Sequence, residues 1–133
     1  MTAPLRDPRL GSLLYASAVW DLTALVMLLW MPGWMLSAFH HPQPVEPFLF
    51  RLAALPLLMA PVVYLMAARE ASPRSRLVAA SIGMRVVGAA GITGLLLTHR
   101  PDGAMAYWGF VGADLLWAGA IAARRASQLE GTR

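Results

Sequence analysis

The chain reads as an all-α protein, an integral membrane bundle of four transmembrane helices with both termini in the cytoplasm. Three observations predict this: a scarcity of charge, four long apolar runs, and arginines gathered on alternate connections. Apolar residues make up 58% of the 133 positions and charged residues only 14%. Soluble domains carry about 25% charge, so lipid suits this composition better than water does. The length allows a single domain.

The four runs cover about 13–31, 48–68, 77–97 and 104–123. Each is close to the ~20 residues that a helix needs to cross ~30 Å of hydrocarbon. None alternates with period two, which excludes membrane strands. The first run is longer than the apolar stretch of a cleaved leader, ends in Trp30, Pro32 and Trp34, and has no small-residue cleavage site, so it is read as a retained helix. The long link before the second run carries His40, His41, Pro42, Pro44 and Pro47 and is expected to be extended. Pro73 separates the second and third runs, and Pro101-Asp102-Gly103 turns the chain between the third and fourth. Pro56 and Pro61 each remove a backbone donor from the second helix, and a kink is expected there. The third run is rich in Gly and Ala, with Ala79 and Gly83 four apart and Ala90 and Gly94 four apart. This spacing predicts close helix contacts and a central place in the bundle.

All eleven basic residues are arginine, and the formal net charge is +4. They stand singly or in pairs between apolar runs and form no continuous basic face, so nucleic acid is not an expected partner. Arg6, Arg9, Arg69, Arg74, Arg76, Arg124, Arg125 and Arg133 fall on one side of the runs, Arg51 and Arg100 on the other. Positive-inside bias therefore puts both ends in the cytoplasm. Trp30, Trp34, Phe39, Phe48, Tyr107 and Trp108 fall on the outer side as an interfacial belt. Arg51 is read as an interfacial residue whose side chain snorkels outward.

The candidate site comes from depth. Asp21 and Arg85 each lie eight residues into a run, ~12 Å from the cytoplasmic edge, and Asp114 lies ~15 Å from it. An isolated charge facing lipid costs about 2.5–3.5 kcal/mol, so the three are expected to face one another. Their helical neighbours Ser17, Ala18, Ser81 and Gly88 are small, as packed faces tend to be. Tyr107, Phe110 and Trp117 share the Asp114 face and are candidate pocket walls. One guanidinium can bridge two carboxylates, which leaves one negative charge unmatched. Three roles remain open for this Asp–Arg–Asp cluster: a network that sets helix register, a ligand or proton site, or a contact with a partner subunit.

The absence of cysteine excludes thiolate catalysis, disulfide exchange and cysteine-ligated metals. His40, His41 and His99 lack a carboxylate–histidine spacing, so no metal is expected. No nucleophile–base motif and no phosphate loop is present. No cofactor is expected, and catalysis is the least supported role.

The order of short motifs resembles small bacterial four-helix membrane proteins grouped as DoxX-like. The motifs are Ala18-Val19-Trp20-Asp21-Leu22, Phe50-Arg51-Leu52, Ala67-Ala68-Arg69-Glu70, Arg85 and Gly112-Ala113-Asp114-Leu115-Leu116, followed by Arg124-Arg125. The resemblance spans nearly the whole chain. It implies a multi-pass protein of the bacterial cytoplasmic membrane and allows an association with quinol-linked oxidoreductase complexes. Two functions follow as expectations. The first is a non-catalytic membrane subunit or accessory protein, in a homodimer or with a partner membrane subunit. The alternative is a proton-coupled transporter or ligand-binding protein that holds a hydrophobic or cationic small molecule at Asp21, Arg85 and Asp114.

Overall fold

A computed structural model describes residues 6–30, 33–34, 37, 58–99 and 104–131. Four α-helices organise these residues, and no strand occurs among them. They are α1 (Pro8–Trp30), α2 (Met59–Glu70), α3 (Arg76–His99) and α4 (Ala104–Glu130). The most extensive packing joins α3 to α4 and α1 to α2, with α2 also against α3 and α1 against α4. The helices thus form a ring in chain order.

Three helix ends, the start of α1, the end of α2 and the start of α3, have a local chemical cause. Asp7 precedes Pro8, and its carboxylate accepts the Arg9 N–H at 3.0 Å, while its carbonyl accepts from Gly11 at 3.0 Å. An acceptor before the first turn with proline at its first position is a favoured helix start. The last turn of α2 closes at Ala71, which adopts the left-handed conformation (φ 43°) and donates its N–H to the Ala67 carbonyl at 2.8 Å. A β-turn follows, in which the Ser75 N–H donates to the Ser72 carbonyl at 3.0 Å. Ser75 then starts α3: its hydroxyl accepts the Leu77 N–H at 3.1 Å and donates to the Glu70 carboxylate.

One end of the bundle is tied across all four helices. The Asp7 N–H donates to the Ala71 carbonyl at 2.9 Å, joining the start of α1 to the end of α2. Arg124 of α4 grips Asp7 in a fork, through Nε at 2.7 Å and Nη2 at 3.1 Å. Arg125 donates to the Pro73 carbonyl at 2.7 Å. The arginines at positions 6, 9, 69, 74, 76, 124 and 125 therefore share this end. Just inside it lies the dry core of Leu10, Leu14, Ala67, Ala68, Val78 and Ile121.

Several boundaries differ from expectation. Helix α1 begins at Pro8 rather than near Leu13, and α4 continues to Glu130, seven residues past the expected end at Ala123. The reason is polar rather than apolar: Asp7 caps the first helix, and Arg124 and Arg125 find partners beyond the hydrophobic stretch. Pro61 lies in the first described turn of α2, and the residues before Leu58, where a kink was also expected, lie outside the described residues. Helix α3 packs against both α2 and α4 and carries Arg85, in keeping with a central place. Among the described residues, Cβ atoms on Gly83, Gly91 and Gly94 would meet nothing within 4 Å, so that face of α3 is uncovered by them. Arg51, Pro56, His40, His41, Asp102 and the first half of the second run lie outside the described residues.

Among the described residues, two helices are long and apolar enough to cross a membrane, over Pro8–Met27 and Arg76–Thr98. Helix α2 has 12 described residues, and the chain before Leu58 lies outside the described residues. In α4, Asp114, Arg124 and Arg125 dilute the apolar content.

The Arg124 fork holds the Asp7 carboxyl below the ordinary carboxylate range; the hydrogen bond is the largest cause and the N–H of Arg9 adds to it. A depressed folded-state value means that the contribution is present above the unfolded value near 3.8 and is lost as pH falls through the lower folded value. The unfolding midpoint of the detergent-solubilised protein should therefore drop as pH is lowered from about 5 to 2. Asp7→Asn should start less stable and show a flatter profile in that window. An unchanged profile would mean that this pair does not link folding to pH.

Candidate functional site

Arg85 of α3 is the centre of the site and is 2% exposed. Its Nε donates to the Ser17 hydroxyl at 3.1 Å, and its Nη2 donates to the same hydroxyl at 2.6 Å and to the Ser17 carbonyl at 3.2 Å. Nη2 also donates to Asp21 Oδ1 at 2.9 Å. Nη1 donates to Asp114 Oδ1. One guanidinium thus joins α1, α3 and α4. The planar fork explains why arginine serves here, because a lysine ammonium cannot present donors along three edges at once.

The fourth helix contributes an aromatic ring. Tyr64 of α2 is 2% exposed, and the Arg85 Cζ stands 4.7 Å from its ring centroid. The π-face attracts the cation and covers the side of the guanidinium that no hydrogen bond uses. Every buried side-chain polar atom among the described residues has a partner. Such completeness is what makes a buried charge tolerable.

The two carboxylates differ from the arginine in access. Their side chains keep 20% (Asp21) and 24% (Asp114) of their surface, against 1% for Arg85. That surface faces a half-open cavity of about 300 Å³. Its wall comprises Trp20, Ala24, Leu25, Ala60, Met84, Ile92 and Phe110, with Asp21, Tyr64, Arg85, Gly88 and Asp114 as its polar side. All these residues lie level with the charges or farther from the basic end, whereas the dry core lies below them. Gly88 keeps the space open, since a Cβ there would stand 3.4 Å from Asp114 Oδ2.

Asp21, Arg85 and Asp114 are thus brought together, as their depth predicts. Of the three expected wall residues only Phe110 lines the cavity. Trp117 is half-buried one turn below Asp114, where the core closes, and Tyr107 is two turns above it, ~10 Å away. Trp20 and Met84 stand in their place. Sequence reasoning missed Tyr64 and Asp7. Tyr64 lies seven residues before Ala71 and Arg85 nine after Arg76, so depth counting on the second run would have found it. Asp7 carried a signal as well, an acid directly before Pro8 at the start of an apolar run.

Among the described residues no group of three or more His, Asp or Glu side chains is arranged to hold a metal ion. Arg51 lies outside the described residues, as does the side chain of His99. Comparison with protein-family models, with curated proteins and with solved structures found no match.

Removing Arg85 leaves two carboxylates facing each other. Arg85→Met should lower stability by about 3 kcal/mol, the low end for a broken buried pair because both acids reach the cavity. Arg85→Lys should recover only part of this loss. Ser17→Ala strips one acceptor from Nε and Nη2 and should cost about 1–3 kcal/mol. Denaturant unfolding in detergent measures all three, and wild-type stability in Arg85→Met would remove the cluster as a structural keystone.

Proposed function

We propose that this chain is a multi-pass protein of the bacterial cytoplasmic membrane that binds a small cationic, partly apolar molecule in the cavity above Asp21, Arg85 and Asp114. The observation that carries the binding role is the access of both carboxylates to that cavity. A register-setting network would close its charges in a dry core. Here two acids share one guanidinium, and the excess negative charge borders apolar and aromatic walls. A cation with an apolar body satisfies both features, as its charge meets Asp21 and Asp114 and its body meets Trp20 and Phe110. The volume lies at the lower edge of ligand sites, about 300–1,000 Å³, so the occupant is small.

The membrane setting is supported by what the bundle leaves uncovered. Only 33% of the α1 span and 22% of the α3 span are buried, whereas a core helix of a water-soluble fold is mostly covered. Val19, Val26, Val87, Leu95, Leu115 and Leu116 are all exposed. In water this apolar surface would drive aggregation, and lipid is its natural solvent. The arginines gather at one end, and the exposed Trp30 and Trp108 belong to the other, which fits a cytoplasmic basic face and an outer aromatic belt.

The open glycine face of α3 supports a second role, packing against another copy or a partner membrane subunit. The DoxX-like resemblance fits that role through the redox complexes of some members. Both roles are compatible, since the cavity and the Gly83–Gly91–Gly94 face are different surfaces.

Trp20 sits in the wall and reports on occupancy through its fluorescence. Titration with benzyltrimethylammonium should quench it saturably. Asp114→Asn and Asp21→Asn should each weaken binding about tenfold, the equivalent of ~1.4 kcal/mol. Gly88→Leu, which fills the cavity, should abolish it. Unchanged affinity in all three variants would rule out the cavity as the binding place.

Topology has a simple test, because the chain has no cysteine of its own. Ser127→Cys should resist a membrane-impermeant maleimide on intact spheroplasts and react after lysis, while Met105→Cys should react from outside. Labelling of both from the same side would refute the four-span arrangement.

A further inference from the structure

A second cavity, of about 370 Å³, lies at the basic end on the outside of the α1–α2 seam. Two cations stand at it, Arg6 just before α1 and Arg69 in the last turn of α2. Both are exposed, and neither makes a hydrogen bond or ion pair with a described residue. The nearby acid does not neutralise them, because both oxygens of Asp7 are held by Arg124. The floor is apolar and shallow, made by Gly11 and Ala68, with Ser12 and Tyr15 on one wall. Gly11 lets the helices approach closely, as its Cβ would stand 3.4 Å from that of Ala71. From the cavity an apolar track leads away from the basic end along the two helices. On α1, Val19 follows Tyr15 by one turn, and on α2 Met66 precedes Arg69 by one; Tyr15, Val19 and Met66 are all exposed.

We propose that this cavity binds the headgroup of an anionic phospholipid, with its acyl chains on the Tyr15–Val19–Met66 track. The site is separate from the Asp21–Arg85–Asp114 cavity, and the proposal rests on the membrane setting argued above. Two guanidinium forks suit a phosphate, whose oxygens take paired N–H donors. The positions suit a lipid rather than free phosphate, because the cations stand where the apolar track begins. Basic pockets between helices at the cytoplasmic face recognise lipid headgroups through this combination.

The test uses the full chain in mild detergent, observed by native mass spectrometry during titration with phosphatidylglycerol, phosphatidylcholine or soluble glycerol phosphate. Phosphatidylglycerol should give one retained adduct at least about tenfold tighter than phosphatidylcholine, and glycerol phosphate should neither form an adduct nor displace it. The Arg6→Gln/Arg69→Gln double variant should lose that preference. Ser12→Trp keeps every charge and fills the groove, and should lose the adduct as well. Equal retention of the two lipids, retention in either variant, or displacement by glycerol phosphate would overturn the lipid site. Extraction of the wild-type chain from membranes by alkaline carbonate would instead overturn the membrane setting. A chain that stays in the pellet but shows no lipid preference loses this site alone.

Discussion

The buried guanidinium of Arg85 is the constraint around which the bundle is arranged. A cation that has left water needs acceptors at its edges and something polarisable on its face. No single helix can supply these, because the backbone carbonyls of α3 are engaged in its own turns. Ser17 and Asp21 come from α1, Asp114 from α4, and the ring of Tyr64 from α2. Satisfying one side chain therefore fixes the rotation and height of all four helices relative to one another. Sliding any helix by one turn would move its contribution by about 5.4 Å and leave the charge without a partner.

The layers follow from that point. Toward the basic end the helices close over leucine, valine, isoleucine and alanine, and Asp7 with Arg124 clamps the first helix to the last. Beside the charges the packing opens on one side, where Gly88 of α3 presents no side chain toward Asp114. The result is a cavity with a charged floor and an apolar wall. The same arginine that sets the structure also leaves half of each carboxylate unshared, so the structural role and the proposed binding role meet in one cluster. In the proposed membrane setting lipid covers the outside, where apolar side chains stand exposed.

Much of this was legible along the chain. Four helical segments and the turn at Pro73 followed from apolar run length and proline placement, and the meeting of Asp21, Arg85 and Asp114 followed from depth alone. The positions of Tyr107 and Trp117 were misjudged because a shared helical face says nothing about height, and a cavity occupies only one or two turns. Small residues permit close approach, but they do not say where a neighbour arrives: among the described residues none reaches the Cβ positions of Gly83, Gly91 and Gly94. Helix ends were misjudged because apolar content does not register the polar partners that extend α1 back to Asp7 and α4 on to Glu130.

The sequence by itself determined that helices form, that the chain turns at Pro73, and which charged residues share a level. These properties depend on spacing along one chain, with each residue contributing independently of the rest. Only the tertiary structure decided that Ser17 and Tyr64 complete the shell of Arg85, that Asp7 is spent on Arg124, and that both acids border an accessible cavity. Those outcomes depend on the rotation of each helix about its axis and on which neighbour it meets. Rotation is set by the sum of all contacts in the ring, which no single segment encodes.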